Sequence, residues 1–138
     1  MDITINYLAV FIAAIAAMVV GYLWYGPLFG RQWRHLMGVT KEGMSQKFMT
    51  QTYTIMFISV LVMAGVLAHN LVFGSAFLNL SGVTAGIQVG FWNWLGFVVP
   101  VSLGTVLWER KPWKLWFINA GYYLVVMVKM GIILALWQ

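Results

Sequence analysis

The chain has 138 residues, of which 62% are hydrophobic and only 8% charged, with a formal net charge of +5. Soluble domains are nearer half apolar and a quarter charged. The composition therefore excludes a soluble globular domain, a disordered tail and a nucleic-acid-binding module, because the lysines and arginines sit in short loops between apolar runs. No cysteine is present, which removes disulfides, thiolate metal sites and thiol nucleophiles.

Four stretches reach the roughly 20 apolar residues that a helix needs to cross a bilayer. They run from about Ile5 to Leu28, Thr50 to Phe73, Val83 to Trp108, and Leu115 to Trp137. The expected fold is all-α: a single polytopic membrane domain, a four-helix bundle with a short interfacial helix after the first span. Asp2 in place of a basic leader, and the length of the first apolar run, argue against a cleaved signal peptide. The first loop carries Arg31, Arg34, Lys41 and Lys47, the second none, and the third Arg110, Lys111 and Lys114. The positive-inside rule then puts loops one and three in the cytoplasm and both termini outside, in a plasma or bacterial inner membrane.

Along the first span, Ala9, Ala13, Ala17 and Gly21 recur every fourth position and share one helical face. Small residues at this spacing allow close helix contact in lipid, within the chain or between subunits. The span ends in Trp24-Tyr25-Gly26-Pro27, where the aromatics mark headgroup level and Pro27 interrupts helical hydrogen bonding. Trp33, Leu36 and Met37 then share a face that Arg34 and His35 avoid, which reads as a helix lying in the interface. Thr40 is the expected cap of the next helix, with Glu42 in its first turn.

Polar residues are sparse in the second span until His69 and Asn70. A metal site there is not expected, since His35 is the only other histidine and lies on the opposite side of the membrane. Gly82, Gly86 and Gly90 open the third span with a small-xxx-small repeat that predicts a tight helix crossing. Gln88 and Asn93 lie at lipid depth and must face protein or water. Pro100 is expected to kink this helix. Glu109 in the third loop is placed to pair with Arg31, Arg34 or a loop neighbour, an exposed pair of small worth. The fourth span carries Asn119, Tyr122, Tyr123 and Lys129. Lys129 lies roughly 15 residues, about 22 Å, beyond the cytoplasmic start of its helix. It must snorkel, meet a water-filled cavity, bind an anion, or stay neutral.

The order of these motifs resembles domain-of-unknown-function family 1761, over essentially the whole chain. The resemblance rests on Asn6-Tyr7-Leu8-Ala9, on Gly21-Tyr22-Leu23-Trp24-Tyr25 with Phe29-Gly30 and Trp33, and on Val66-Leu67-Ala68-His69. It continues in Gly90-Phe91-Trp92-Asn93-Trp94-Leu95-Gly96-Phe97, Leu107-Trp108-Glu109, Lys111-Pro112-Trp113-Lys114 and Ile118-Asn119-Ala120-Gly121-Tyr122. It implies a compact four-helix membrane fold and no assigned activity. It marks His69, Glu109, Lys111 and Asn119 as positions of the family pattern and leaves Lys129 outside it.

Three functions compete. The polar set His69, Asn70, Gln88, Asn93, Asn119 and Lys129 suits permeation of an ion or small solute, through a homo-oligomer with the path between subunits. Small-residue faces and a tryptophan-rich rim suit a non-catalytic structural or interaction protein. Arg31, Arg34, Lys111 and Lys114, with Glu109 beside them, suit a rim that holds anionic lipid headgroups. No nucleophile–base pair, carboxylate pair, metal cluster or phosphate loop is visible, so no catalytic residue, metal or cofactor is expected.

Overall fold

A computed structural model describes residues 4–40 and 45–137. The first helix, α1 (Tyr7–Leu23), starts at Asn6, whose side-chain oxygen accepts from the Ala9 N–H at 3.2 Å. This satisfies one of the donors that a helix start leaves free. The Asn6 amide also donates to Trp137 O at 2.8 Å, so the start of the first helix and the end of the last meet at one end of the molecule.

At the opposite end α1 widens into a π-helical turn, Trp24–Leu28, that contains Pro27. Proline cannot donate to the preceding turn, and the wider turn absorbs that break. The short helix α2 (Gly30–Met37) follows and stops at Gly38, which takes a left-handed φ of 69°. Val39 N–H closes onto Arg34 O, the usual glycine-terminated helix end. Trp33 and Leu36 are half-buried while Arg31, Gln32 and His35 are exposed, as an interfacial helix requires.

The second long helix, α3 (Gln46–Leu78), is capped by Ser45, whose hydroxyl accepts from Phe48 N–H at 3.1 Å. Thr40 is therefore not the cap; it lies too far before the first turn, and Glu42 falls outside the described residues. The helix begins later than a cap at Thr40 would start it, yet runs past both ends of the expected apolar span, to 33 residues. At 1.5 Å per residue that is about 50 Å, well beyond the roughly 30 Å of a hydrocarbon core. Three of its hydroxyls are satisfied within the helix: Thr50, Thr54 and Ser59 each donate to the carbonyl four residues back.

Asn79 ends α3 in a left-handed conformation, and Ser81 precedes α4 (Gly82–Asn93). A second π-helical turn follows, Trp94–Val98, then α5 (Val99–Ser102) and α6 (Gly104–Leu107). The helix expected to kink at Pro100 is irregular just before that residue, where the π-helical turn lies, and Pro100 itself sits in the first turn of α5. The last helix, α7 (Trp113–Leu136), runs uninterrupted. Among the described residues four stretches are long and apolar enough to cross a membrane: Tyr7–Leu28, Gln46–Leu78, Gly82–Leu107 and Trp113–Leu136.

The alanine face of α1 is a contact within the chain. Ala9, Ala13 and Ala17 are buried in one core with Val60, Ala64, Leu67 and Leu71 of α3 and Val126, Met130 and Leu134 of α7. Where α4 crosses α7, Gly86 lies against Gly131 and Gly90 against Met127, backbone to backbone. Gly82 takes no part in this crossing. It has open space around it and a φ of 65°, so its lack of a side chain serves the turn instead. The helix α7 packs against α1, α3 and α4 and is the axis of the bundle.

Candidate functional site

The polar chemistry at membrane depth collects on one stretch of α7, Ile118 to Tyr122. Each π-helical turn begins with a tryptophan, and both tryptophans point their N–H at this stretch. Trp24 donates to Ile118 O at 2.9 Å and Trp94 donates to Ala120 O at 2.8 Å. Residues two apart on a helix lie about 200° apart around its axis, so α7 is held from two sides. Tyr25, next to Trp24, donates its hydroxyl to Asn119 Oδ1 at 2.7 Å. The Tyr122 hydroxyl reaches back to Ala17 O at 3.4 Å. Two glycines make room: Cβ atoms at Gly21 and Gly121 would lie 3.0 Å from the Tyr122 hydroxyl and 3.3 Å from the Trp24 ring.

Aromatic packing completes the cluster. Tyr25 stacks edge-on against Trp33 of α2 and against Tyr122, with ring centres 5.7 and 5.1 Å apart, and Tyr122 meets Tyr123 at 5.0 Å. Gly30 opens α2 directly against the π-helical turn, where a Cβ would clash with the Tyr25 carbonyl. The Arg34 guanidinium would lie 3.1 Å from that same Cβ, so this half-buried cation folds back over the first turn of its own helix.

A domain model described as "Protein of unknown function (DUF1761)" matches residues 8–135. The chain belongs to this family. Among curated proteins and among solved structures, nothing matches it. In this member of family 1761, the motifs of the first, third and fourth spans that carry the resemblance meet at Ile118–Tyr122. Asn119 is the one expected site residue at their centre.

The remaining expected residues are dispersed. Asn70 and Asn93 come together: Asn70 Nδ2 donates to Asn93 Oδ1 at 3.0 Å, and Asn93 Nδ2 donates to Val89 O at 2.8 Å. This is a bond between α3 and α4. His69 beside it is exposed, with Nδ1 2.7 Å from Gly65 O. A carbonyl only accepts, so the ring carries its proton on Nδ1 and spends it on its own helix. Gln88 is half-buried. Lys129 is exposed on the flank of α7, seven residues or about 10 Å short of the helix end. Arg31, Glu109, Lys111 and Lys114 are exposed at the loop end, with Arg34 half-buried beside them.

Trp24, Tyr25, Trp94 and Tyr122 were not among the expected site residues. Their sequence signal is the tryptophan that opens each irregular turn, Trp24 before Pro27 and Trp94 before Pro100. On sequence alone Trp24 and Tyr25 only mark headgroup level, and Trp94 is one position of a family motif; in the structure all three donate to α7.

The asparagine bond has a measurable worth. Hydrogen bonds between membrane helices average under about 1 kcal/mol. Asn70→Leu and Asn93→Leu are each expected to destabilise the detergent-solubilised protein by about 1 kcal/mol. Together they should cost clearly less than the sum, because both remove one bond. A double-mutant cycle of thermal unfolding reads the coupling, and strict additivity would show that no bond joins these side chains.

Proposed function

We propose that this family 1761 member is a non-catalytic membrane protein that acts by association, through the surface it presents to the lipid. One observation carries this reading: the three asparagines at membrane depth, Asn70, Asn93 and Asn119, and the aromatics beside them are committed to helix–helix bonds. Asn70 binds Asn93, Tyr25 binds Asn119, and Trp24 and Trp94 bind backbone carbonyls of α7. The α4–α7 crossing is closed by backbone contact. A path for solute needs polar groups that face water, and these groups face protein.

Flux in proteoliposomes tests it. Vesicles holding the purified protein are expected to pass chloride, phosphate and protons no faster than empty vesicles. Flux above that level, lowered by Asn93→Leu or Lys129→Met, would overturn the reading.

A second reading keeps permeation, with the path between copies of the chain. What favours it is Lys129, a cation exposed on the bundle's flank at membrane depth. The natural chain has no cysteine, so Lys129→Cys can be probed on a clean background. Under the association reading, a small charged thiol reagent added to intact cells labels Lys129→Cys far more slowly than a Ser75→Cys control. Equal labelling would mean that water reaches this depth and would favour the path between copies.

A further inference from the structure

Two polar residues at membrane depth, Gln88 and Lys129, are left without a bond by the bundle. Among the described residues neither side chain has a hydrogen-bond partner, whereas Asn70, Asn93 and Asn119 are all engaged. Lys129 is exposed and Gln88 half-buried. Polar groups that face lipid are costly, so they pair with one another or reach water.

The α4–α7 crossing fixes where these two stand. Gly86 meets Gly131, and Gly90 meets Met127. Gln88 is two residues from both Gly86 and Gly90, and Lys129 is two residues from both Met127 and Gly131. Two residues turn a helix by about 200°, so Gln88 points away from α7 and Lys129 points away from α4. The same register sets them level, each midway between the two contact points on its helix. Measured from the nearer helix ends, Gln88 is six residues, about 9 Å, inside the start of α4. Lys129 is seven residues, about 10 Å, inside the end of α7. The two stand at one depth on opposite flanks and cannot meet within the chain.

Copies inserted in one orientation are related by rotation about the membrane normal, which preserves depth. Gln88 of one copy is therefore level with Lys129 of the next. Their chemistry is complementary, since lysine only donates and the glutamine carbonyl accepts. A contact of Lys129 with its own equivalent would bring like charges together. Glu109, the only acid among the described residues, precedes α7, whose first residue is already about 24 Å from Lys129 along the helix.

We propose that the chains associate head to tail through this pair, Lys129 Nζ of one copy donating to Gln88 Oε1 of the next. One flank meets a different flank, so the contact is heterologous and either closes into a ring or extends. The inference rests on the association reading and names the partner as a second copy. Flux above that of empty vesicles overturns that reading; the cross-linking below overturns only this inference.

Thr84→Cys and Ile132→Cys each place one thiol about a turn from Gln88 or Lys129 and leave both polar groups intact. Co-expressed in one membrane and oxidised with copper phenanthroline, the two chains are expected to cross-link to each other about tenfold more than either to itself. Adding Gln88→Leu to the Thr84→Cys chain, or Lys129→Met to the Ile132→Cys chain, is expected to cut that yield about fivefold, the worth of one bond between membrane helices. Exchanging the pair, Gln88→Lys in the first chain with Lys129→Gln in the second, is expected to restore it. Equal cross-linking of each chain to itself would overturn the proposal, and so would no cross-link at all. An unchanged yield after Lys129→Met would also overturn it, as the mark of a lysine that reaches the headgroups alone. Should Gln88→Leu not fold, Lys129→Met decides.

Discussion

Gly86→Ala is expected to be the most destabilising single methyl addition on α4. A Cβ at this position falls onto the Gly131 carbonyl and lies 2.7 Å from Ile132 N. All three obstructing atoms belong to the backbone of α7, so no side chain can swing away. The helices must separate or slide, and overpacking that moves backbone costs about 3 kcal/mol or more. Gly131→Ala meets Gly86 from the other side and should behave alike. Gly65 in α3 is the control, with nothing within 4 Å of a Cβ. There alanine removes backbone freedom from the unfolded chain and should stabilise by about 0.5–1 kcal/mol. Thermal unfolding in detergent separates the two signs. If Gly86→Ala melted with Gly65→Ala, then α4 and α7 would not be in backbone contact.

The second large effect belongs to Trp24. Its indole N–H holds Ile118 O, and its ring fills the space that Gly121 leaves open. Trp24→Ala removes both, and large aromatic deletions cost about 3–5 kcal/mol. Trp24→Phe keeps most of the ring and removes the donor, so it should cost about 1 kcal/mol. The same pair of substitutions at Trp94 reports on Ala120 O. Because the two indoles grip α7 from different sides, Trp24→Phe and Trp94→Phe together should cost about the sum of the singles. A Trp24→Phe variant that unfolds as easily as Trp24→Ala would make the hydrogen bond, not the ring, the dominant contact.

The sequence made the spans legible because lipid is a simple solvent. A helix that crosses it must be long and apolar, and each of the four is. The glycine repeat likewise announced a tight crossing on α4, since only a missing side chain allows backbones so close, but it did not name α7 as the partner, and Gly82 stays outside the contact. What lay beyond reach was the partner of each polar group. Asn93 had to bond to something at lipid depth, but periodicity does not say that Asn70 of the preceding helix would face it. Asn119 was visible as a polar residue and as a position of the family pattern. Its donor, Tyr25, sits 94 residues earlier and reads locally as an interface aromatic. Trp24 is hidden for the same reason: an indole at headgroup level looks identical in sequence whether its N–H meets water or a neighbouring helix. The cap of α3 shows a finer limit. Thr40 and Ser45 are both good capping residues, and only the start of the helix chooses between them.

The place of α7 at the axis has a consequence for how the protein is made. Membrane proteins are built from the N-terminus onward, at about 5–20 residues per second. Here the helix that the other three pack against leaves the ribosome after all three of them. Until it arrives, Trp24, Tyr25 and Trp94 carry donors with no acceptor, and the Gly86–Gly90 strip faces lipid. Such unmet polar groups are costly in a bilayer. With only the first three helices inserted these groups lack their partners, and closure of the bundle waits for the 24-residue α7. A nascent chain cut short before Trp113 would expose to the membrane's quality-control proteases the very groups that the finished protein conceals.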